Sequence, residues 1–448
     1  MMIFTHHSGE PHAILGPQVA ATFFERKLSI PSIVVGIERG FSRENLRRLI
    51  DQDHAGKNGV VAFSHLCGRQ DLIDLIRELK QEGFITLLGG PQARQDYNGE
   101  PDTDSYPNRF RGLKSFVDTA FQGPVDRFRP EDLEKASGLL ESPWIKNVYL
   151  EIDWSNLYLF SDTLKRLEVR LGQVMNAIGC PYAARRQAVT LPPPIGLKER
   201  GLPDMELTTG GCVFCDVSRD KGTHGLIERN RVIAQIMGLP EVDGRKIPFE
   251  LIDEYPIRSL GRLLENAEAA GIRLSQVNLV CRVDDVNGNA SELADVLTLA
   301  QRQGVRLLFA SIGFESFSDR LLQIFCKGIT FADTIACVET LRRLKDRFGD
   351  SLLYRRDEGA NHGFIRPTPW DDGETMQEMD RNIYLYRLYE DILPEHSVPL
   401  IIHHASYLGD WIRRIEETSD ILFPRTGTWI EWWNPSAREG RGPGNVFA

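Results

Sequence analysis

Short apolar runs alternate with amphipathic helical patterns along most of this chain, and that alternation restricts the fold more than any other feature. In the first ~125 residues, runs at Ser32–Gly36, Val60–Phe63, Ile85–Leu88 and Phe116–Phe121 suit buried strands. Helical patterns at about Gln18–Arg26, Arg43–Asp51 and Gln70–Gln81 lie between them. Such a rhythm predicts a doubly wound parallel sheet with ligands at the carboxyl ends of its strands. From about residue 204 the rhythm lengthens. Strands are expected at Met205–Thr209, Phe249–Ile252, Val277–Cys281, Arg306–Ile312, Gly363–Ile365 and Val398–His403. Helices are expected at Arg258–Ala270, Ala290–Arg302, Phe331–Arg347 and Thr375–Tyr389. A strand-helix-strand unit of roughly 30 residues belongs to a parallel barrel. The expected fold is therefore α/β: an N-terminal doubly wound Rossmann-like domain over residues 1–130, then a partial (β/α)6-type barrel over 176–395. A linker region at 131–175 and a C-terminal extension at 396–448 complete the expected division. Leu191-Pro-Pro-Pro194 marks a loop, and Arg185 to Met205 reads as an excursion without its own core.

Composition removes several functions. Net charge is −10 over 448 residues, so no broad basic face is available to neutralise phosphates, which argues against a general nucleic-acid binder. No stretch reaches the ~18 apolar residues that span a bilayer. Met1 to Gly16 is polar and His-rich, without the basic and apolar regions of a signal peptide. The expectation is a cytoplasmic protein with no membrane and no nucleic-acid partner. Its seven cysteines are odd in number and irregular in spacing, which is not a disulfide framework. In a cytosolic chain, a close Cys pair points first to metal or redox chemistry.

Barrel enzymes place their chemistry where strands end. Here strand 249–252 ends in Asp253-Glu254, strand 277–281 in Arg282-Val-Asp284-Asp285, and strand 306–312 in Gly313-Phe-Glu315-Ser316. Gly363-Phe-Ile365 runs into Arg366, and Pro399–Ile402 into His403-His404. Five polar strand ends in register raise the odds of a shared polar site above those of solvated loop starts. In the first domain, strand 60–63 runs into Ser64-His-Leu-Cys-Gly68, and strand 85–88 into Gly89-Gly90-Pro-Gln92. Glycines there let backbone approach a ligand, although such turns also occur without one.

Cys212-Val-Phe-Cys215 follows Gly210-Gly211 just after an expected strand. Two thiolates three positions apart on a turn bind one metal centre, and soft sulfur suits zinc or iron–sulfur. No second Cys-x-x-Cys exists for a four-cysteine zinc ribbon. A redox dithiol or a half-occupied zinc site is the alternative. Cys180 stands in Gly179-Cys-Pro-Tyr182. Taken alone, Cys180 reads as a small buried apolar residue.

The words G-C-P-Y at 179–182 and C-V-F-C at 212–215 resemble the cluster motif of radical S-adenosylmethionine (SAM) enzymes, G-C-P-Y-x-C-x-F-C, split by an insertion. Thirty-one residues lie between Cys180 and Cys212. Ser311-Ile-Gly-Phe-Glu-Ser-Phe-Ser-Asp through Lys327-Gly-Ile-Thr330 is similar to the G-I-E-S-x-S-D … K-G-I-T segment of many barrels of that superfamily. The resemblance covers roughly residues 175–370. It implies a 4Fe–4S cluster on Cys180, Cys212 and Cys215, with SAM lined by Glu315, Ser316, Arg282, Asp253 and Glu254. The family's Gly-Gly-Glu is missing at the position of Asp253-Glu254. Helix capping is the competing role for Ser318 and Glu315, and a surface ion pair with Asp284 or Asp285 is that for Arg282.

Residues ~1–125 resemble the cobalamin-binding domain that precedes the barrel in one radical-SAM class. The matching words are Val61-Ala-Phe-Ser64, Leu72–Leu79, Leu87-Leu-Gly-Gly-Pro-Gln92 and Phe116–Gly123. The resemblance implies a corrin site at Gly68, Gly89, Gly90 and Gln92. The D-x-H-x-x-G cobalt-ligand motif is absent, and Asp51-Gln-Asp-His54 does not supply it. His65 and Cys67 read as packed loop residues rather than cobalt ligands. Near the C-terminus, His403 and His404 are adjacent on an expected strand, so they should point to opposite faces. Trp429, Trp432 and Trp433 suit packing, and the Gly-rich tail Arg438–Asn445 reads as mobile. The family implies reductive cleavage of SAM to a 5′-deoxyadenosyl radical, a small-molecule substrate, and a reductase, flavodoxin or ferredoxin as electron donor. With cobalamin, the commonest implied outcome is methyl transfer to an unactivated carbon. Radical-SAM cyclisation or rearrangement without cobalamin, and a non-enzymatic metal-bearing binding protein, are the alternatives.

Overall fold

The computed structural model describes residues 1–53, 59–134, 136–144, 147–220 and 225–437. His54 and the tail from Arg438 lie outside the described residues. The chain divides into two compact units: Met1–Gln173 with Arg425–Ile430, and Val174–Pro424 with Glu431–Ala448.

The first unit is built on eight strands: β1 (Met2–His6), β2 (Ile33–Ile37), β3 (Val60–Ser64), β4 (Ile85–Gly89), β5 (Thr119–Gln122), β6 (Gly138–Glu141), β7 (Leu157–Phe160) and β8 (Leu164–Arg166). Their order is β6-β5-β4-β3-β1-β2-β7-β8. The pairs β1–β2, β1–β3, β3–β4 and β4–β5 are parallel, and β7–β8 is antiparallel. Residues 131–175 contribute β6, β7 and β8 to this sheet. After β2 the chain crosses back over β1 to form β3. That reversal opens a crevice at the carboxyl ends of β1 and β3, where open α/β sheets take their ligands.

β1 lies at the centre of the sheet, with Met2, Ile3, Phe4 and Thr5 all buried. Its Met-Ile-Phe run is short and turns at once into Thr-His-His, so the polar reading of the N-terminus hid a central strand. A strand covered on both faces needs no alternation. Helix Gln70–Gln81 forms where its periodicity predicts it. Leu72, Ile73, Leu75, Ile76 and Leu79 fall on one stripe and are fully buried, worth roughly 1.5–3 kcal/mol each. A charge at Leu75 would break that contact.

The second unit carries an open parallel sheet. Its strands are β9 (Gly172–Met175), β12 (Phe249–Ile252), β13 (Gln276–Arg282), β14 (Arg306–Glu315), β15 (Leu352–Leu353) and β16 (Gly363–Phe364), where β10 (Arg186–Leu191) and β11 (Met205–Gly210) form a separate two-stranded ribbon. The sheet order is β9-β12-β13-β14-β15, with β16 paired to the far end of β14. Ile365 then bridges Val398 in parallel. This unit is a partial barrel and the first is Rossmann-like, as expected, and no closed barrel is present among the described residues. Helices Ile257–Ala269, Ala290–Gln303, Phe331–Phe348 and Gly373–Leu385 match their expected positions to within a few residues. The 331–348 helix starts on a capping box: Thr330 Oγ1 accepts from Asp333 N, and Asp333 Oδ2 accepts from Thr330 N.

One expected barrel strand is corrected. Met205–Gly210 pairs antiparallel with Arg186–Leu191 and does not join the parallel sheet. The first barrel strand is β9 instead, directly upstream of Cys180. Among the described residues, no helix is long and apolar enough to cross a membrane.

Candidate functional site

The β10–β11 ribbon brings the two cysteine words together. Its register runs from Leu191↔Met205 at the tip to Arg186↔Gly210 at the base. Opposed residues of an antiparallel pair lie about 5 Å apart, so the two ends of the insertion lie side by side. The pairing continues one step further, where Gly211 N donates to Arg185 O at 3.3 Å. The two cysteine segments then touch. A Cβ on Gly210 would stand 2.8 Å from Ala183 O, and one on Gly211, whose φ is +81, would stand 3.2 Å from Ala183 Cα. Glycine is required at both positions by this approach.

Each segment is a tight turn. Ala183 N donates to Cys180 O at 3.0 Å, and Cys215 N to Cys212 O at 3.3 Å. Cys212 is buried, while Cys180 and Cys215 are half-buried. Burial pushes the Cys180 thiol up, and the charge of Glu254 adds to that. Burial also raises Cys215 well above the ordinary thiol range, with Cys212 and Glu254 contributing. Glu254 thus acts on two of the three sulfurs, and Arg282 acts on Cys180 as well as bonding Cys212. The bare Cys180 and Cys215 thiols resist ionisation, so a bound cation would have to displace their protons. Three soft donors on paired turns fit an iron–sulfur cluster by their chemistry.

Arg282, at the end of β13, is the centre of the surrounding network. Its side chain is 5% exposed. Nη1 donates to Cys212 Sγ at 3.4 Å and Nη2 to Lys327 O at 2.5 Å. Nε donates to Asp284 Oδ1 at 2.8 Å and to Tyr255 Oη at 3.0 Å. The guanidinium lies 4.1 Å from the ring centre of Tyr182, whose hydroxyl donates to Cys326 O at 2.8 Å. The ion pair with Asp284 therefore exists, but at a buried arginine rather than on a surface. Tyr182 comes from the first cysteine word, Lys327 from the K-G-I-T word and Tyr255 from the β12 turn, so the structure joins motifs that the sequence shows only separately.

Glu315 closes β14 with φ +63, a strained backbone for a residue with a side chain. Lys327 Nζ holds its Oε1 at 2.8 Å, and both side chains are nearly buried. A Cβ on Gly313 would lie 2.6 Å from that oxygen, and one on Gly363 would lie 3.0 Å from Oε2, so the carboxylate sits between two glycines. Ser316 is buried beside it, its Oγ 3.5 Å from Met379 Sδ. Capping of the next helix, the competing role for Ser318, does not occur. The helix has no side-chain cap bond, and Ser318 Oγ is buried without a hydrogen-bond partner. Asp253 is buried, accepting from Asn176 Nδ2 at 2.6 Å and from Tyr255 N at 2.9 Å, which ties the end of β12 to the chain leaving β9. Glu254 is half-buried.

His403 and His404 do not point to opposite faces. Both are buried and their ring centres lie 4.6 Å apart. The strand there is only Ile402–His403 and turns straight into the Ser406 cap of helix Tyr407–Thr418, so strand alternation does not apply. Trp432 is buried, its Nε1 donating to Leu400 O, whereas Trp433 is 44% exposed.

In the first unit, the crevice residues divide. Gly89 is open, its nearest prospective Cβ neighbour being Phe63 O at 4.0 Å, and Gly90 (φ +112) backs on His65 N. Gln92 is half-buried. Gly68 is closed: a Cβ there would strike the Trp429 indole at 2.4 Å. Gly427 N donates to Gln70 Oε1, and Arg425 forms a two-pronged pair with Glu100 at 2.9 and 3.0 Å. Those two side chains are 4% and 0% exposed. The strap 425–430 was not foreseen, since nothing local distinguishes it. His65 and Cys67 both have positive φ, and burial pushes the Cys67 thiol up to about 11. A side chain could be added at Gly89 of the β4 turn without a close contact, whereas Gly68 of the β3 turn is closed by Trp429.

No protein-family model matches the chain, and no curated protein matches it. Among solved structures, it is similar to OxsB, described as a cobalamin-dependent S-adenosylmethionine radical enzyme. The TM-score is 0.55 at 12% identity, covering 96% of this chain and 63% of that one. The fold is therefore shared, and this chain spans less than two thirds of that enzyme's length.

Proposed function

We propose that this chain is a radical-SAM enzyme in which Cys180, Cys212 and Cys215 hold a 4Fe–4S cluster. The observation that carries the reading is the ribbon base, where Arg185–Gly211 pairing returns the second cysteine word to the first. The shared fold supports it independently. Such a cluster, held by three thiolates, supplies an open iron and one electron for cleaving SAM to a 5′-deoxyadenosyl radical. The residues around it have separable tasks. Glu315 and Ser316, with Asp253 and Glu254, are proposed to wall the SAM site. Lys327 fixes the Glu315 carboxylate and Asn176 fixes Asp253, so little reorganisation is left for binding. The buried aromatic and aliphatic surround, including Phe314, Phe317 and Phe325, excludes water.

Gly89, Gly90 and Gln92 are proposed to receive cobalamin, with methyl transfer to a small molecule as the outcome. The Trp429 cover on Gly68 favours a second reading, radical-SAM chemistry without a corrin. A flavodoxin or ferredoxin is the proposed electron donor, and free cysteines suit a reducing cytoplasm. The test is anaerobic reconstitution with iron and sulfide, then product analysis with SAM and dithionite, with and without hydroxocobalamin. 5′-Deoxyadenosine is expected. Its absence from cluster-loaded protein would favour a non-enzymatic binding role, and a product indifferent to hydroxocobalamin would favour the second reading.

A further inference from the structure

We infer that Arg282 tunes the reduction potential of the cluster through a charge-assisted hydrogen bond to the Cys212 sulfur. This deepens the cluster reading and rests on it. All three nitrogens of the guanidinium are already committed: Nη1 to Cys212 Sγ, Nη2 to Lys327 O, and Nε to Asp284 and Tyr255. With Tyr182 stacked on its face, the group has one orientation. That is the geometry of a fixed donor to a ligand sulfur, and hydrogen bonds to cluster sulfurs and nearby charge are among the protein's main levers on potential.

The sign follows from charge. Reduction adds an electron to the cluster and its thiolates. A buried cation donating to one of those sulfurs stabilises the reduced form more than the oxidised form. Arg282 therefore raises the potential, and Asp284, pairing with Nε at 2.8 Å, partly offsets it. Lysine keeps the charge but cannot span sulfur, carbonyl and carboxylate with a planar fork. Arg282 is thus a positioning residue for the cluster rather than part of the SAM wall.

The experiment is a potentiometric titration, without SAM, of reconstituted full-length protein, read by the EPR signal of the reduced cluster. Wild type, Arg282→Leu, Arg282→Lys and Asp284→Asn are compared. The expected shifts from wild type are largest and negative for Leu, smaller and negative for Lys, and positive for Asn. If Leu fails to fold or to load, the opposite signs of Lys and Asn carry the test. Wild-type potentials in cluster-bearing Lys and Asn variants would overturn the inference, as would a change confined to SAM affinity. A wild type that takes up no cluster would instead remove the reading beneath it.

Discussion

Glycines do opposite work in two regions of this molecule where strands end. In the cysteine region, Gly210, Gly211, Gly313 and Gly363 close onto the protein's own atoms, bringing two turns together and seating one carboxylate. In the Rossmann-like unit, Gly89 leaves space, while Gly68 is closed by an indole from the far end of the sequence. The first region is thus specified by its own packing and points to one cofactor chemistry. The second is open on one turn and covered on the other, and it admits readings with and without a corrin. A strand-end glycine is informative only once what faces it is known.

The largest thermodynamic test of this contrast addresses the strap that covers Gly68. Glu100→Gln removes the carboxylate from its buried two-pronged pair with Arg425, which costs about 3–5 kcal/mol. Chemical denaturation should show that loss, and Glu100→Gln with Arg425→Met should recover most of it. Iron content should not change in either variant. A cluster lost along with the strap would break the separation drawn above.

The next effect belongs to the barrel side. Burial lowers the His362 imidazole to about 4, against 6.5 when exposed. Its Nδ1 accepts from Ile312 N, and its Nε2 donates to Tyr354 O, which fixes the neutral form. Below pH 6.5 the unfolded chain takes up a proton that the folded chain refuses. Stability is therefore present above 6.5 and lost as pH falls toward 4, by roughly 3 kcal/mol in all. His362→Gln should flatten that part of the stability profile, and an unchanged slope would contradict the account.

Gly211→Ala is smaller in energy and more telling. The positive φ costs a side chain about 1–2 kcal/mol, and the new Cβ presses on Ala183. Reduced iron and sulfide content is expected, whereas Gly89→Ala should leave it untouched. Equal cluster loading in both variants would erase the contrast between the regions. Smallest of all is Ser318→Ala, expected within about 0.5 kcal/mol of wild type because no cap bond is lost, against about 1 kcal/mol for Thr330→Ala.

Much of the fold was legible where a pattern is decided locally. The stripe Leu72–Leu79 can bury itself only as a helix, and the apolar runs 249–252 and 277–281 are strands in any arrangement. β1 was illegible because a central strand needs no alternation and its run is short. Met205–Thr209 reads as a strand in the sequence, but as part of the parallel barrel rather than of an antiparallel ribbon. Its Met-Glu-Leu-Thr pattern is the same whether it pairs parallel or antiparallel, and the partner Arg186–Leu191 lay in a segment read as an excursion. The candidate site shows the same division. Its cysteines, Arg282 and Glu315 carry local words, whereas the Tyr182–Arg282 stack and the 425–430 strap are contacts over long sequence distances.

Cys180 offers the most direct test, because the ribbon returns the chain at Gly211 to the turn that carries it. Cluster content of anaerobically reconstituted Cys180→Ala should be measured beside Cys212→Ala and Cys215→Ala, by iron and sulfide analysis and by EPR after reduction. The account predicts that all three lose the 4Fe–4S signal to the same extent. A Cys180→Ala protein with a full wild-type cluster would contradict it.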